Sequence, residues 1–306
     1  MDAEPFPGLQ ITAGDFLDEQ TERGSCPKCN KSRKYYCYTC FVPLKQFEGR
    51  VPKLKLPVRI DVIKHAREVE GKSTAAHAAV IAPDHVHIYT YPVIPDYPDA
   101  DKVVLVFPGK EALTLQELKK RTEGSKQNVQ EREKRGATCE PPAKKAKSDM
   151  QEADGGVPCP FERVIFIDST WAQSKKIYLD ERLQGLQQVV ISEQETKFWR
   201  HQQGQPNTYL ATIEAIYHFC REYHQLFLPS PYEGQYDDLL FFFLYMYNKI
   251  KVHHHGGHNL KAYKGRDRQL EAGQVAPVVV GNGSHSTKQC VTNTSDASQG
   301  KMKAIQ

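Results

Sequence analysis

The chain has 306 residues, 25% of them charged, with a formal net charge of +4 and a mean hydropathy of −0.60. That hydropathy and charge content predict a soluble chain, and no run of about 18 apolar residues is available for a membrane-spanning helix. The opening MDAEPFPGLQ lacks the basic and apolar regions of a secretory signal. Eight cysteines without such a signal point to a reducing compartment, where thiols stay free or bind metal. The charge is too mild to identify a nucleic-acid binder by itself.

Residues 1–24 read as a loose, partly acidic tail. CPKCNKSRKYYCYTC follows and sets Cys26, Cys29, Cys37 and Cys40 as two C-x-x-C pairs. Each pair can present two sulfurs to one ion, and four thiolates complete the closed tetrahedral shell of a structural zinc. Free thiols or a redox pair are the competing readings. A closed shell leaves no open position, so the site is assigned no catalysis. This knuckle, residues 25–44, also carries Lys28, Lys31, Arg33 and Lys34 beside Tyr35 and Tyr36. Basic groups interleaved with aromatics suit phosphates and unstacked bases; they suit a solvated loop over core tyrosines equally.

KLKLPVRIDVIKH (53–65) alternates basic and apolar positions, a strand pattern. VHIYTYPVI (86–94), DKVVLVFPG (101–109), RVIFID (163–168) and VVIS (189–192) read as further strands. The third is nearly continuous in its apolar part, as a strand covered on both faces would be, and stops at Pro108-Gly109. SKKIYLDERLQGL (174–186) suits an amphipathic helix, and 208–227 has a convincing apolar helix face. LLFFFLYMYNKIKV (239–252) is aromatic almost all round and is predicted to lie deep.

Strands alternating with helices give an α/β domain over 45–252. An insertion at about 121–158, with almost no large apolar residues, is predicted to be disordered, as is the tail 253–306. Within the insertion, Lys144-Lys145-Ala146-Lys147 reads either as a nuclear-import signal, hence a nuclear or nucleocytoplasmic protein, or as a solvated charge run. No obligate protein partner is implied.

FIDSTWAQS (166–174) raises a sharper question. A buried strand ends in Asp168, Ser169, Thr170 and Trp171, where a helix N-terminus is the simplest reading. An apolar strand closing in D-x-T-W resembles the signature of the DTW-domain tRNA-uridine aminocarboxypropyltransferases. The likeness continues in order along residues 25–250. His65 and Lys72-Ser73-Thr74 sit where that family has a His and a Lys/Thr-rich segment, and LVFPG (105–109) resembles its strand ending in a proline turn. FWRH (198–201) resembles an arginine motif, and ATIEA (211–215) an S/T-T-x-E-A motif from which Ala211 departs. The resemblance implies a SPOUT-like, knotted-type α/β fold with S-adenosylmethionine as donor. The reaction it implies is transfer of the 3-amino-3-carboxypropyl group to N3 of a tRNA uridine, in the D-loop.

Uridine N3 is a poor nucleophile until it loses its proton, so a general base must lie within reach. Asp168 is the candidate; holding the donor's ammonium group or orienting the uracil are its alternatives. Trp171 offers a flat face to a base or a sulfonium, and alone would be an ordinary core aromatic. Thr170 can bond a donor carboxylate or cap the following helix. Pro108, Gly109, Ser169, Thr212 and Glu214 are the candidate donor-binding residues, although Glu214 could equally be a solvent-facing helix residue. Lys34, Lys72, Arg200 and His201 are the candidates for tRNA phosphates, against a reading as solvated surface. The competing functions are a SPOUT-like RNA methyltransferase using the same donor and a non-catalytic zinc-containing RNA-binding protein.

Overall fold

The structure, a computed structural model, describes residues 5–124, 161–199 and 207–255. Most of the expected insertion and of the C-terminal tail falls outside these residues. The knuckle consists of two short antiparallel pairs, β1 (Gly24–Ser25) with β2 (Ser32–Arg33) and β3 (Tyr36–Cys37) with β4 (Val42–Pro43). Six strands then build one sheet: β5 (Arg59–Lys64), β6 (Val86–Thr90), β7 (Val103–Val106), β8 (Leu113–Thr114), β9 (Arg163–Asp168) and β10 (Gln187–Val190). Their order is β6-β5-β9-β7-β10-β8, and every neighbouring pair is parallel. All the strands therefore deliver their carboxyl ends to one edge.

Alternation along the central strands sorts their side chains between two cores. Ile60 and Val62 of β5, Val164 and Phe166 of β9, and Val104 of β7 face a large core. That core is closed by α1 (Ala75–Ile81), α4 (Thr212–Phe227) and α5 (Phe241–His255). Ile63, Ile165, Val103 and Leu105 point the other way, onto Ile177 of α3 (Trp171–Tyr178), Leu183 and Leu186. This second layer also holds a charge. Asp61 is fully buried and accepts hydrogen bonds from Arg163 Nη1 at 2.7 Å and the Tyr97 hydroxyl at 3.0 Å. A helix α2 (115–124) leads into the undescribed segment.

The structure corrects the loose N-terminal tail. Residues 5–24 form a strap across α5, with a turn of 3-10 helix at Asp15–Glu19 and Leu17 fully buried. The aromatic surround of α5 is the reason: the strap and knuckle cover the side that the sheet core does not. Phe6 packs edge-on against Phe243 at 5.8 Å, Phe16 stacks on Phe241 at 5.8 Å, and Tyr36 packs on Phe242 at 4.5 Å between ring centroids. Asp237 and Asp238 fix the backbone by accepting the Gln10 and Thr12 N–H groups at 2.7 and 2.6 Å. Three other boundaries differ from expectation. Helix α1 has no sequence counterpart in the reading above, the helix expected over 174–186 ends at Tyr178, and α5 continues to His255.

Leu17→Ala should lower the unfolding free energy by about 2–5 kcal/mol, the range for a fully buried leucine. A urea titration reads it directly; an unchanged midpoint would return the strap to a loose tail.

Candidate active site and metal knuckle

In open parallel sheets the crevice at the strands' carboxyl ends is where ligands bind. Here the ends of β7, β9 and β10, with the start of α4, line a cleft of about 780 Å³. That size suits a drug-sized ligand. Val106, Phe107, Phe166, Ile167, Val189 and Ile191 give it a largely apolar lining.

Asp168 closes β9 and lines this cleft, and the side-chain alternation that sends Phe166 toward α4 sends Asp168 the same way. It is only 5% exposed. The Ser73 hydroxyl donates to one carboxylate oxygen and the Thr212 hydroxyl to the other, both at 2.6 Å. Ser73 is presented by the turn before α1, and Thr212 is the first residue of α4. The Thr74 hydroxyl accepts the Ile213 N–H at 3.2 Å, which joins the two helix starts. Burial pushes the Asp168 carboxyl above its ordinary range, against the opposing pull of Ser73, Thr212 and Lys64. Lys64 lies opposite Asp168 in the β5–β9 register and is 8% exposed.

Thr170 is the N-cap of α3. Its carbonyl accepts the Gln173 and Ser174 N–H groups at 2.9 Å each, but its exposed hydroxyl makes no capping bond and lines the cleft instead. Ser169 and Pro108 line it too. Trp171 is the first residue of α3, and its side chain lies outside the described structure. Gly109 sits behind the wall, where a Cβ would overlap the Gln188 side chain; its N–H closes a tight turn on the Phe107 carbonyl at 2.8 Å.

Glu214 is buried but does not line the cleft. Its carboxylate accepts the Ala211 N–H at 2.8 Å, the Thr196 hydroxyl at 2.6 Å and the Lys197 N–H at 2.6 Å. Ala211, the N-cap, has no side-chain oxygen with which to complete a capping box. Lys72 stands exposed on the cleft rim, whereas Lys34 is exposed on the knuckle with its ammonium 5.5 Å from the Tyr35 ring centre. Arg200 and His201 lie outside the described residues. Sequence reasoning missed Lys64 and the bonds of Ser73 and Glu214. The alternation of β5 alone was the signal for Lys64.

The four knuckle cysteines have sulfurs within 4.8 Å of one another. The two pairs are built alike. The residues that follow them, Asn30 and Phe41, both take left-handed backbone (φ 56° and 54°). Each donates its N–H to the carbonyl of its pair's first cysteine, Cys26 at 3.0 Å and Cys37 at 2.8 Å. A phenylalanine in this region is strained, and the repeated turn marks a constraint. Burial raises the Cys37 thiol, yet the N–H groups of Cys40 and Thr39 and the Arg33 guanidinium outweigh it and bring Cys37 to about 6. Burial and the neighbouring thiols push Cys40 up to about 12. Four such sulfurs ionise together only around a cation, so this donor set fits a metal.

The knuckle is also fastened to the cleft. The Thr39 hydroxyl, between the second cysteine pair, donates to Glu70 at 2.9 Å, and Tyr38 packs over Gly71. Glu70 and Gly71 belong to the loop that presents Ser73 to Asp168.

A sequence model of the DTW domain matches residues 34–251. The chain belongs to the DTW-domain family. A Xenopus tropicalis relative named tRNA-uridine aminocarboxypropyltransferase 1 is 50% identical over 256 residues, 79% of this chain and 85% of the relative. The mouse and human proteins of that name are each 44% identical, over 263 and 260 residues, in both cases 81% of this chain and 84% of the relative. No solved structure matches the chain.

A carboxyl with a raised folded-state pKa contributes stability below its unfolded pKa and loses it as pH rises through the folded value. Ionisation of Asp168 therefore weakens the fold. Asp168→Asn, of the same shape, should leave the thermal midpoint at neutral pH unchanged or raised; a fall of several degrees would contradict this.

Proposed function

We propose that this DTW-domain protein transfers the 3-amino-3-carboxypropyl group of S-adenosylmethionine to N3 of a tRNA uridine, in the D-loop, at the cleft around Asp168. One observation carries the reading. In a chain 50% identical to a named transferase, the aspartate of the family signature is a buried acid lining the cleft at the strands' carboxyl ends.

The donor supplies a sulfonium, whose leaving group is a neutral thioether. In the overall exchange the N3–carbon bond forms, the carbon–sulfur bond breaks, methylthioadenosine departs and the N3 proton passes to a base. Asp168 is the proposed proton acceptor, made more basic by burial and held in one orientation by Ser73 and Thr212. Position decides which of the sulfonium's three carbons is attacked, so a rigid wall matters more than charge. In this proposal Thr170, Ser169, Thr212 and Pro108, which line the cleft, hold the donor, with Gly109 and Glu214 supporting from behind. Lys72 at the rim and Lys34 on the knuckle suit tRNA phosphates. Trp171, Arg200 and His201 complete the proposal by stacking and charge neutralisation.

The matched cysteine turns support a structural zinc held by Cys26, Cys29, Cys37 and Cys40. The all-parallel sheet, with β9 inserted between β5 and β7, supports a SPOUT-like, knotted-type fold. Lys144–Lys147 motivate a nuclear or nucleocytoplasmic location.

Nucleoside mass spectrometry of unmodified tRNA, incubated with the protein and S-adenosylmethionine, should show aminocarboxypropyl-uridine. Asp168→Asn should reduce it by about a hundredfold or more, the scale of a lost general base. The acid limb of kcat/KM should lie above pH ~4, the ordinary aspartate range, because the base form is lost as pH falls through a raised pKa. Methyluridine would replace this reading with the methyltransferase one; no modified nucleoside, with tRNA retained, would favour the binding protein.

Metal analysis should find zinc in the wild type and none in Cys37→Ser, accompanied by loss of cooperative unfolding. A wild type that is zinc-free and fully folded would refute the structural zinc.

A further inference from the structure

After β10 ends at Val190, the chain runs on without joining any ladder through residues 191–198. Ile191, Ser192, Glu193, Gln194 and Phe198 nonetheless form one wall of the cleft. Backbone donors outside a sheet need other partners; helix α4 accepts two of them, and the Thr196 N–H donates to the Asn207 carbonyl at 2.8 Å. Glu222 accepts the Ser192 N–H at 2.9 Å. Glu214 accepts the Lys197 N–H and the Thr196 hydroxyl, each at 2.6 Å, and the Thr196 hydroxyl in turn accepts the Phe198 N–H at 3.0 Å. The two glutamates lie just over two turns apart on α4, about 12 Å along its axis, which holds the segment near both ends. Between the fixed points, Glu193 and Gln194 are presented to the cleft.

We propose that Glu214 and Glu222 are positioning residues, a pair of carboxylates that clasp segment 191–198 to α4 and thereby set the wall against which the donor lies. The donor part of this rests on the function proposed above. Glu214 acts through the wall: it does not line the cleft itself, and its carboxylate accepts the Ala211 and Lys197 N–H groups and the Thr196 hydroxyl. Glu222 belongs to no motif recognised in the sequence. Its role follows from the bond to Ser192 alone.

Two readouts on the full-length chain test the clasp: amide hydrogen exchange over 191–198 and calorimetric affinity for S-adenosylmethionine. Thermal midpoints are recorded alongside to separate local from global loosening. Glu222→Ala should speed exchange at Ser192 and weaken the donor about tenfold, the scale of one lost hydrogen bond to a charged group. Glu222→Gln should stay close to wild type, because its amide oxygen still accepts the Ser192 N–H. Glu214→Gln should behave like Glu222→Ala, because an amide nitrogen cannot accept from Ala211 or Lys197. Unchanged exchange in Glu222→Ala would overturn the proposal, as would a Glu222→Gln variant as weak as the alanine, which would show a need for charge. If the wild type does not bind the donor, the functional reading fails, and the exchange data still decide the clasp.

Discussion

The Asp168 carboxylate accepts one hydrogen bond from Ser73 and one from Thr212, and these two contacts tie together three distant parts of the chain. Asp168 ends the strand between β5 and β7, Ser73 precedes α1, and Thr212 starts α4. A buried ionisable group is tolerable only when its oxygens are satisfied, so the helix starts must stay where they are. The Thr74 bond to Ile213 reinforces the same junction. One side of the cleft takes its shape from this requirement, because the strand end and the two helix starts that converge on one carboxylate line it.

The knuckle gains a meaning from the same junction. Thr39 reaches Glu70, three residues before Ser73, so the cysteine pairs brace the loop that holds the carboxylate. Arg33 serves both sides of this brace, donating to Thr39 at 3.1 Å while its guanidinium lies 3.9 Å over the Tyr38 ring. On this account the cysteine knuckle supports the site at a distance, by position rather than by contact.

Much of the sheet was legible because strand alternation is a local signal. Five of the six strands were read near their true places, and β8, of two residues, is too short to carry a pattern. Helix α1 escaped notice because AAHAAVI is apolar apart from His77 and shows no exposed polar face. The N-terminal strap was misread because the rings that hold it lie on α5, at the far end of the described chain, and composition does not reveal a distant partner. In the site, the four cysteines were readable from type and spacing, whereas the signature residues stood out only through the family resemblance. The task of Glu214 was not readable, since a buried carboxylate in a helix can serve a ligand or the backbone equally well. Only its three donors distinguish the two.

The most direct measurement is a crystal structure of the protein with S-adenosylmethionine or methylthioadenosine bound. The account predicts the ligand in the cleft beside Asp168, Ser169, Thr170 and Pro108, with the Ser73 and Thr212 bonds to Asp168 intact. A ligand seated elsewhere, or an Asp168 carboxylate turned away from both the hydroxyls and the ligand, would contradict it.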